Sequence, residues 1–374
     1  MNVMPILPLC DIVRAIMNKR IICLIEDLSS GGAERQLSGL AVLLKERGYE
    51  VEVWTYYPGD FYLPVLMQAG VKYRYIEKAK SSKNRIPVLY KELKKAKPDT
   101  LIAYLDTACT VACLLKVLGL KFNLIVSERN TTQQLNRRER IKFFMYRFAN
   151  HIVPNSYTQY EFVKKHYPRL ESKMTCITNF VDTDKFVPTI VKEGTHETLN
   201  MLTVARLMPQ KNILKYIEAI KKIIDEGIKV SVSWYGNDLN DDYSVSCKNL
   251  IKKMGISDSF HFYAVKRNIL EEYQQADAFC LPSSYEGFPN VVCEAMCCGL
   301  PILCSNVCDN PRIVEHDKNG FLFDPSDSQE MAKEIMRFAN LSDKEKEMMR
   351  AANREKAISL FSSETFLKKY MEII

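Results

Sequence analysis

Short β-rich runs alternate with segments of helical period along almost the whole chain, and near the middle the alternation starts again. The first set of runs is RIICLI (20–25), EVEVWTYY (50–57), VKYRY (71–75), DTLIAYL (99–105), FNLIVS (122–127) and HIVPNS (151–156). Between the first two, GAERQLSGLAVLLKERGYE places apolar residues at helical spacing, with Gly48 as a stop. Parallel neighbours need a crossover, so strand, helix, strand in this order predicts a parallel, doubly wound sheet. The second set is LNMLTVARL (199–207), KVSVSWYG (229–236), SFHFYA (259–264), DAFCLPS (277–283), LPILCSN (300–306) and GFLFDP (320–325). The chain therefore reads as α/β, with two doubly wound parallel-sheet domains in series.

The expected boundaries are 17–186 for the front domain and 199–356 for the back domain. A linker at 187–198 carries Pro188, Gly194 and polar residues. A final helix, roughly 344–374, is long enough for its end, about 357–374, to pack back on the front domain. Residues 1–16 read as an extension of uncertain status: they lack a basic segment, and Asp11 and Arg14 interrupt their apolar stretch. The length of 374 residues suits two cores. No apolar run reaches the roughly 18 residues of a spanning helix. Twelve cysteines without a secretory leader fit a reducing cytosol, where they serve as small buried hydrophobes. None is spaced as a C-x2-C pair and histidines number five, so no metal site is expected.

Charge is uneven. Residues 1–186 hold 29 Lys and Arg against 18 Asp and Glu, and the remainder hold 23 against 27. Two basic runs stand out in the front half: 72–97, with ten cations and two Glu, and RRERIKFFMYRF (137–148), with five cations among four aromatics. Solvated helix faces explain such runs most often. Together in one basic domain they point to an anionic membrane surface rather than nucleic acid.

The chemistry concentrates in SSYEGFPNVVCEAMCCGLP (283–301). Pro289 suits the first turn of a short helix that stops before Gly299. Glu286 then stands at the mouth of the preceding turn, and Glu294 sits among Val291, Val292, Ala295 and Met296. A capping role would explain Glu286, but a carboxylate amid apolar neighbours asks for a ligand or a buried partner. The first-turn N–H groups of Asn290 and Val291 favour an anion or sugar hydroxyls. VARLMPQKN (204–212) lies between a strand and a helix, and its Arg206 and Lys211 oppose the helix dipole. SSGGAERQL (29–37) is a Gly-rich turn that opens a helix and lacks G-x-G-x-x-G, which weighs against a dinucleotide dehydrogenase.

On these residues the chain from about Met17 onward resembles family 4 of the retaining glycosyltransferases, which have the GT-B fold of two Rossmann-like domains facing a central cleft. EGFPNVVCEAMCCGLPI looks like the family's E-x7-E signature with its following Gly-Pro. The resemblance implies that Glu286 contacts the donor sugar and Glu294 the ribose, with Phe288, Asn290 and Val291 lining the donor. It implies that Arg206 and Lys211 hold the diphosphate, and that Gly31 and Gly32, with Glu34 less securely, face the donor from the front domain. Gly236 and the backbone at Val265 and Lys266 would flank the base. ITNFVDTDKF (177–186) is similar to the segment closing the front domain, with Phe180 where glycine is usual. Its Asp182 and Asp184 are not expected to bind metal. Asp106, Glu128 or Arg129 is expected where relatives carry a front-domain histidine, and Arg312 stands where many carry Glu.

The function so implied is a retaining hexosyl- or N-acetylhexosaminyltransferase using a nucleoside-diphosphate sugar, with a UDP-sugar as the expected donor. It would need no cofactor or metal. The acceptor would be a glycan or lipid-pyrophosphate-linked hydroxyl in bacterial surface polysaccharide synthesis. The expected place is the cytoplasm, peripherally on the inner face of the membrane. A same-fold sugar-nucleotide epimerase and a non-catalytic basic membrane-binding module are the alternatives.

Overall fold

The structure, a computed structural model, describes residues 19–189, 197–266 and 268–374. The expected extension 1–16 and most of the expected linker, 190–196, lie outside the described residues. The chain divides into two units, Met1–Asn179 with Glu364–Ile374 and Phe180–Ser363.

In the first unit six strands pair in the order β3-β2-β1-β4-β5-β6. They are β1 Arg20–Leu24, β2 Glu50–Thr55, β3 Lys72–Tyr75, β4 Thr100–Tyr104, β5 Asn123–Glu128 and β6 His151–Pro154. Every pairing is parallel. Central strands covered on both faces must be apolar throughout, so β4 (TLIAY) is buried at all five positions. The edge strand β3 (KYRY) keeps charges because one side of it is open.

The second unit repeats the plan with β7 Leu199–Val204, β8 Val230–Tyr235, β9 Phe260–Tyr263, β10 Ala278–Leu281, β11 Ile302–Ser305 and β12 Gly320–Phe323. Their order is β12-β11-β10-β7-β8-β9, again all parallel. In each sheet the first and fourth strands of the unit are neighbours, and there the progress of the chain reverses. Ligands of open α/β sheets bind beyond the carboxyl ends of the strands at that reversal. Helix Ile213–Asp225 covers the second sheet with Tyr216, Ile217, Ile220 and Ile223, a stripe at helical period.

The structure departs from the expected boundaries in three places. Val181 and Phe186 belong to the core of the second unit together with Ala357 and Phe361. The Val181 N–H donates to the Phe361 carbonyl at 2.8 Å. The front unit therefore stops at Asn179, and the returning segment begins at Glu364 rather than 357. The expected single final helix is two, Asp343–Phe361 and Ser363–Met371, broken where Ser362 is extended (ψ 148°).

Candidate functional site

The reversal between β7 and β10 gathers the loops that carry most of the predicted residues. After β7 the chain runs close under β8. Ala205 N–H donates to Tyr235 O (2.9 Å), and Leu207 N–H donates to Asn237 O (3.0 Å). Gly236 is required there, because a Cβ on it would lie 1.8 Å from the Ala205 carbonyl oxygen. Two side chains then tie this loop to the one after β10. Gln210 Nε2 donates to Tyr285 O (2.8 Å), and Asn212 Nδ2 donates to Pro282 O (3.1 Å) and Pro325 O (2.7 Å). Asn212 takes the left-handed conformation (φ 56°) that ends the short turn Pro209–Lys211 and opens helix Ile213–Asp225. These restraints deliver Lys211 to Glu286, with Nζ 2.5 Å from Oε1.

The Glu286 loop is held from its other side as well. Ser305 Oγ donates to Ser283 O (2.5 Å), and Glu286 N–H points at Cys308 Sγ (3.4 Å). Burial pushes the Cys308 thiol up, and the Glu286 N–H opposes that rise. Both Glu286 and Glu294 are buried, at 7% and 2% exposure. Helix Asn290–Cys297 carries Glu294 on its inner face, where Oε2 accepts a hydrogen bond from the Tyr273 hydroxyl at 2.9 Å. Tyr273 is fully buried against Phe186 and Phe279. The apolar setting of Glu294 thus holds a dedicated donor, a partner that sequence reasoning missed because a tyrosine at helical spacing reads as core.

The other predicted residues take the following places. Arg206 is exposed on the loop that carries Lys211. Asn290 and Val291 open the helix after Glu286. Phe288 is a core residue, packed edge-on against Phe361 (5.7 Å). Val265 is exposed after β9, and Lys266 pairs with Glu272 at 2.6 Å. Tyr235 stacks on Tyr263 at 4.8 Å beside this stretch. Arg312 is exposed on the short helix Asn310–Ile313. A cavity of about 580 Å³, lined by Leu199, Asp277 and Arg350 among others, opens at the amino ends of β7 and β10, away from these loops.

In the front unit Gly31 and Gly32 follow β1 and open helix Gly32–Glu46. Burial raises the pKa of Glu34, also on that helix. Of the three front-domain candidates, Arg129 is committed to structure. Its guanidinium donates to Asn179 Oδ1 (2.6 Å) and to the Tyr104 and Tyr370 hydroxyls (2.5 and 2.8 Å). Asp106 and Glu128 converge instead on Lys142, whose Nζ lies 3.3 and 3.1 Å from them and 2.6 Å from Glu139. Burial pushes the Glu128 carboxyl up to about 8, against the attraction of Lys142. Asp182 Oδ1 accepts from the N–H groups of Asp184 and Lys185 (3.2 and 3.0 Å), so it closes a turn. Among the described residues no group of three or more His, Cys, Asp or Glu is arranged to hold a metal ion. No helix among them is long and apolar enough to cross a membrane.

The back-unit loops thus set a cation against a carboxylate at the mouth of a parallel sheet, with a second buried carboxylate on the short helix that follows. Such a site can hold an anionic group and accept hydrogen bonds from neutral hydroxyls. Comparison with known proteins gives the family. Residues 30–185 match the model of Glycosyltransferase Family 4, and residues 190–356 match that of Glycosyl transferases group 1. A Campylobacter jejuni protein is 26% identical over 350 residues, covering 90% of this chain and 93% of its own. It is named GalNAc-alpha-(1->4)-GalNAc-alpha-(1->3)-diNAcBac-PP-undecaprenol alpha-1,4-N-acetyl-D-galactosaminyltransferase. An Escherichia coli UDP-Gal:alpha-D-GlcNAc-diphosphoundecaprenol alpha-1,3-galactosyltransferase is 30% identical over 205 residues, about half of either chain. A glycosyltransferase structure from Rickettsia africae superposes with TM-score 0.83 at 17% identity, covering 95% of this chain and 97% of its own. The structure of Anabaena HepE in complex with UDP and glucose superposes with TM-score 0.81 at 20% identity, covering 94% and 98%. With its two six-stranded doubly wound units of GT-B type, this chain belongs to the group 1, family 4-like glycosyltransferases.

Proposed function

We propose that the chain transfers a hexosyl or N-acetylhexosaminyl group from a UDP-sugar, with retention, to a hydroxyl of a lipid-pyrophosphate-linked glycan during bacterial surface polysaccharide synthesis. The observation that carries this reading is the Lys211–Glu286 pair at the sheet reversal. The names of the Campylobacter and Escherichia relatives, both of which act on undecaprenol-diphosphate-linked sugars, support the acceptor class.

In this reading Arg206 and Lys211 hold the diphosphate, Glu294 accepts the ribose hydroxyls, and Glu286 accepts a hydroxyl of the sugar. The acceptor oxygen bonds to the anomeric carbon on the face from which the diphosphate departs. Its proton passes to the leaving phosphate oxygen. Charge grows on the diphosphate as its bond to carbon breaks, so fixed cations bind the transition state more tightly than the ground state. That neutralisation is assigned to side chains, and no metal is required. The front unit works against an anionic membrane surface on the cytoplasmic side.

The test is a panel of nucleotide sugars with purified protein and a synthetic polyprenyl-diphosphate acceptor. The anomeric configuration of the product is read by NMR, with and without a chelator. One UDP-sugar should be consumed, the configuration retained and the chelator without effect. Inverted product, chelator-sensitive transfer, or activity undiminished in Glu286→Ala would each overturn the corresponding part.

A further inference from the structure

The two basic runs of the front unit differ in what lies between their cations. In helix Ser82–Ala96 the exposed cations are Lys83, Lys91, Lys94 and Lys95, and no large apolar side chain on it is exposed. Arg85 from the same run is buried and stacks on the Tyr56 ring at 4.3 Å. That face is an ordinary solvated one.

Helix Arg137–Tyr146 and the turn after it are built otherwise. Ile141 and Phe144 are each 51% exposed, and Phe148 is 37% exposed. With Arg137 they fall at i, i+4, i+7 and i+11, a single stripe on an α-helix. Arg138, Arg140 and Arg147 are exposed beside the stripe, and the Arg147 guanidinium lies over the Phe144 ring at 4.1 Å. The one acid of the helix, Glu139, turns inward to Lys142. The outward face therefore combines three large apolar side chains with four arginines and no carboxylate.

The inward face fixes the helix in place. Phe143 and Tyr146 are buried in the front core. Lys142 is pinned by Asp106, which follows β4, and by Glu128, which ends β5. A helix held this firmly does not display apolar residues through looseness, and an exposed apolar stripe rimmed by cations marks an interaction surface.

We infer that the outward face of residues 137–148 docks on an anionic lipid surface, with Ile141, Phe144 and Phe148 entering the interface and Arg137, Arg138, Arg140 and Arg147 meeting headgroup phosphates. The four positive charges without a carboxylate select an anionic surface, and the apolar stripe between them selects a lipid one. This inference rests on the reading of the chain as a transferase for a lipid-linked acceptor, and it names the surface that brings the two together. Through Lys142 the helix is tied to Asp106 and Glu128, beside the carboxyl ends of β4 and β5.

The test is sedimentation of the full chain with vesicles of phosphatidylcholine alone, or of phosphatidylcholine mixed with phosphatidylglycerol, at low and high salt. Wild type should pellet only with the anionic vesicles and be released by salt. Each Arg→Gln change at 137, 138, 140 or 147 should weaken partitioning ~5-fold. The combined change Ile141→Ser, Phe144→Ser and Phe148→Ser should weaken it ~10-fold or more. Lys→Gln at 83, 91, 94 and 95 together should cost far less than the four arginine changes. A loss as large as theirs would overturn the assignment, as would equal pelleting on neutral vesicles. Both native tryptophans, Trp54 and Trp234, are fully buried. In Phe144→Trp the new indole alone should therefore shift to shorter wavelength on adding anionic vesicles. No shift would overturn insertion and leave only electrostatic adsorption. UDP release from a UDP-sugar without vesicles should be the same in all these variants. Its absence in wild type would overturn the transferase reading while leaving the docking result interpretable.

Discussion

The Lys211 ammonium and the Glu286 carboxylate, 75 residues apart in sequence, meet at 2.5 Å because Gln210 and Asn212 on either side of the lysine bind the Glu286 loop. Lys211→Ala should lower kcat/KM ~10-fold or more through loss of one charged hydrogen bond to the diphosphate. Glu286→Gln keeps the shape of the pair and should lower kcat more than it raises KM. Steady-state kinetics with a fixed UDP-sugar check both, and a melting curve separates loss of fold from loss of chemistry. Unchanged kinetics in either variant would remove that residue from the reaction.

Tyr273 donates to Glu294 from a fully buried position. Tyr273→Phe should weaken UDP binding roughly 5- to 10-fold by leaving the carboxylate less firmly held. Glu294→Gln should weaken it at least as much. Calorimetric titration with UDP is the measurement. Affinity unchanged in Glu294→Gln would show that the carboxylate serves packing alone.

Gly236→Ala introduces a Cβ 1.8 Å from the Ala205 carbonyl oxygen. Because that obstacle is backbone, the strand β7 loop must move, at a cost of about 3 kcal/mol or more. The protein should melt at a lower temperature and lose UDP affinity together. A variant as stable and as active as wild type would mean that the loop yields easily.

Glu128 is 1% exposed, and burial holds its carboxyl up at about 8. Lys142 opposes that rise, Asp106 adds to it, and Cys109, Tyr146 and Glu139 complete the surroundings. An unfolded glutamate ionises near pH ~4.3. Between that pH and about 8 the folded chain keeps a proton the unfolded chain has released. Stability should therefore fall as pH rises through this window, by up to about 1.4 kcal/mol per pH unit. Thermal melts from pH 5 to 8 should show the slope in wild type and a flatter profile in Glu128→Gln. Equal slopes would mean that Glu128 is ionised throughout.

The strands were legible because buried parallel strands read as unbroken apolar runs. AFCL and ILCS are buried at every position. The strand ends were less so: LPILCSN contains only Ile302–Ser305, since Pro301 lacks the N–H a ladder needs. The division of the chain was also less visible. Val181 and Phe186 are apolar residues in a polar stretch, and only tertiary packing decides which core takes them.

At the site, residue types and spacing exposed Glu286, Glu294 and Lys211. The side chains that position them were hidden, because Gln210, Asn212 and Tyr273 act across 21 to 113 residues and carry no local signature. Lys142 was hidden differently: counted with the basic run, it is 3% exposed and faces three carboxylates.

The tie between Tyr370 and Arg129, with Asn179 on the same guanidinium, has a consequence for biosynthesis. Residues 180–363 form one uninterrupted unit, whereas the front unit needs residues from both sides of it. During translation the front sheet emerges first, yet it must wait with Arg129 lacking the Tyr370 hydroxyl until the later unit has left the ribosome. The half begun earlier is thus the half finished last.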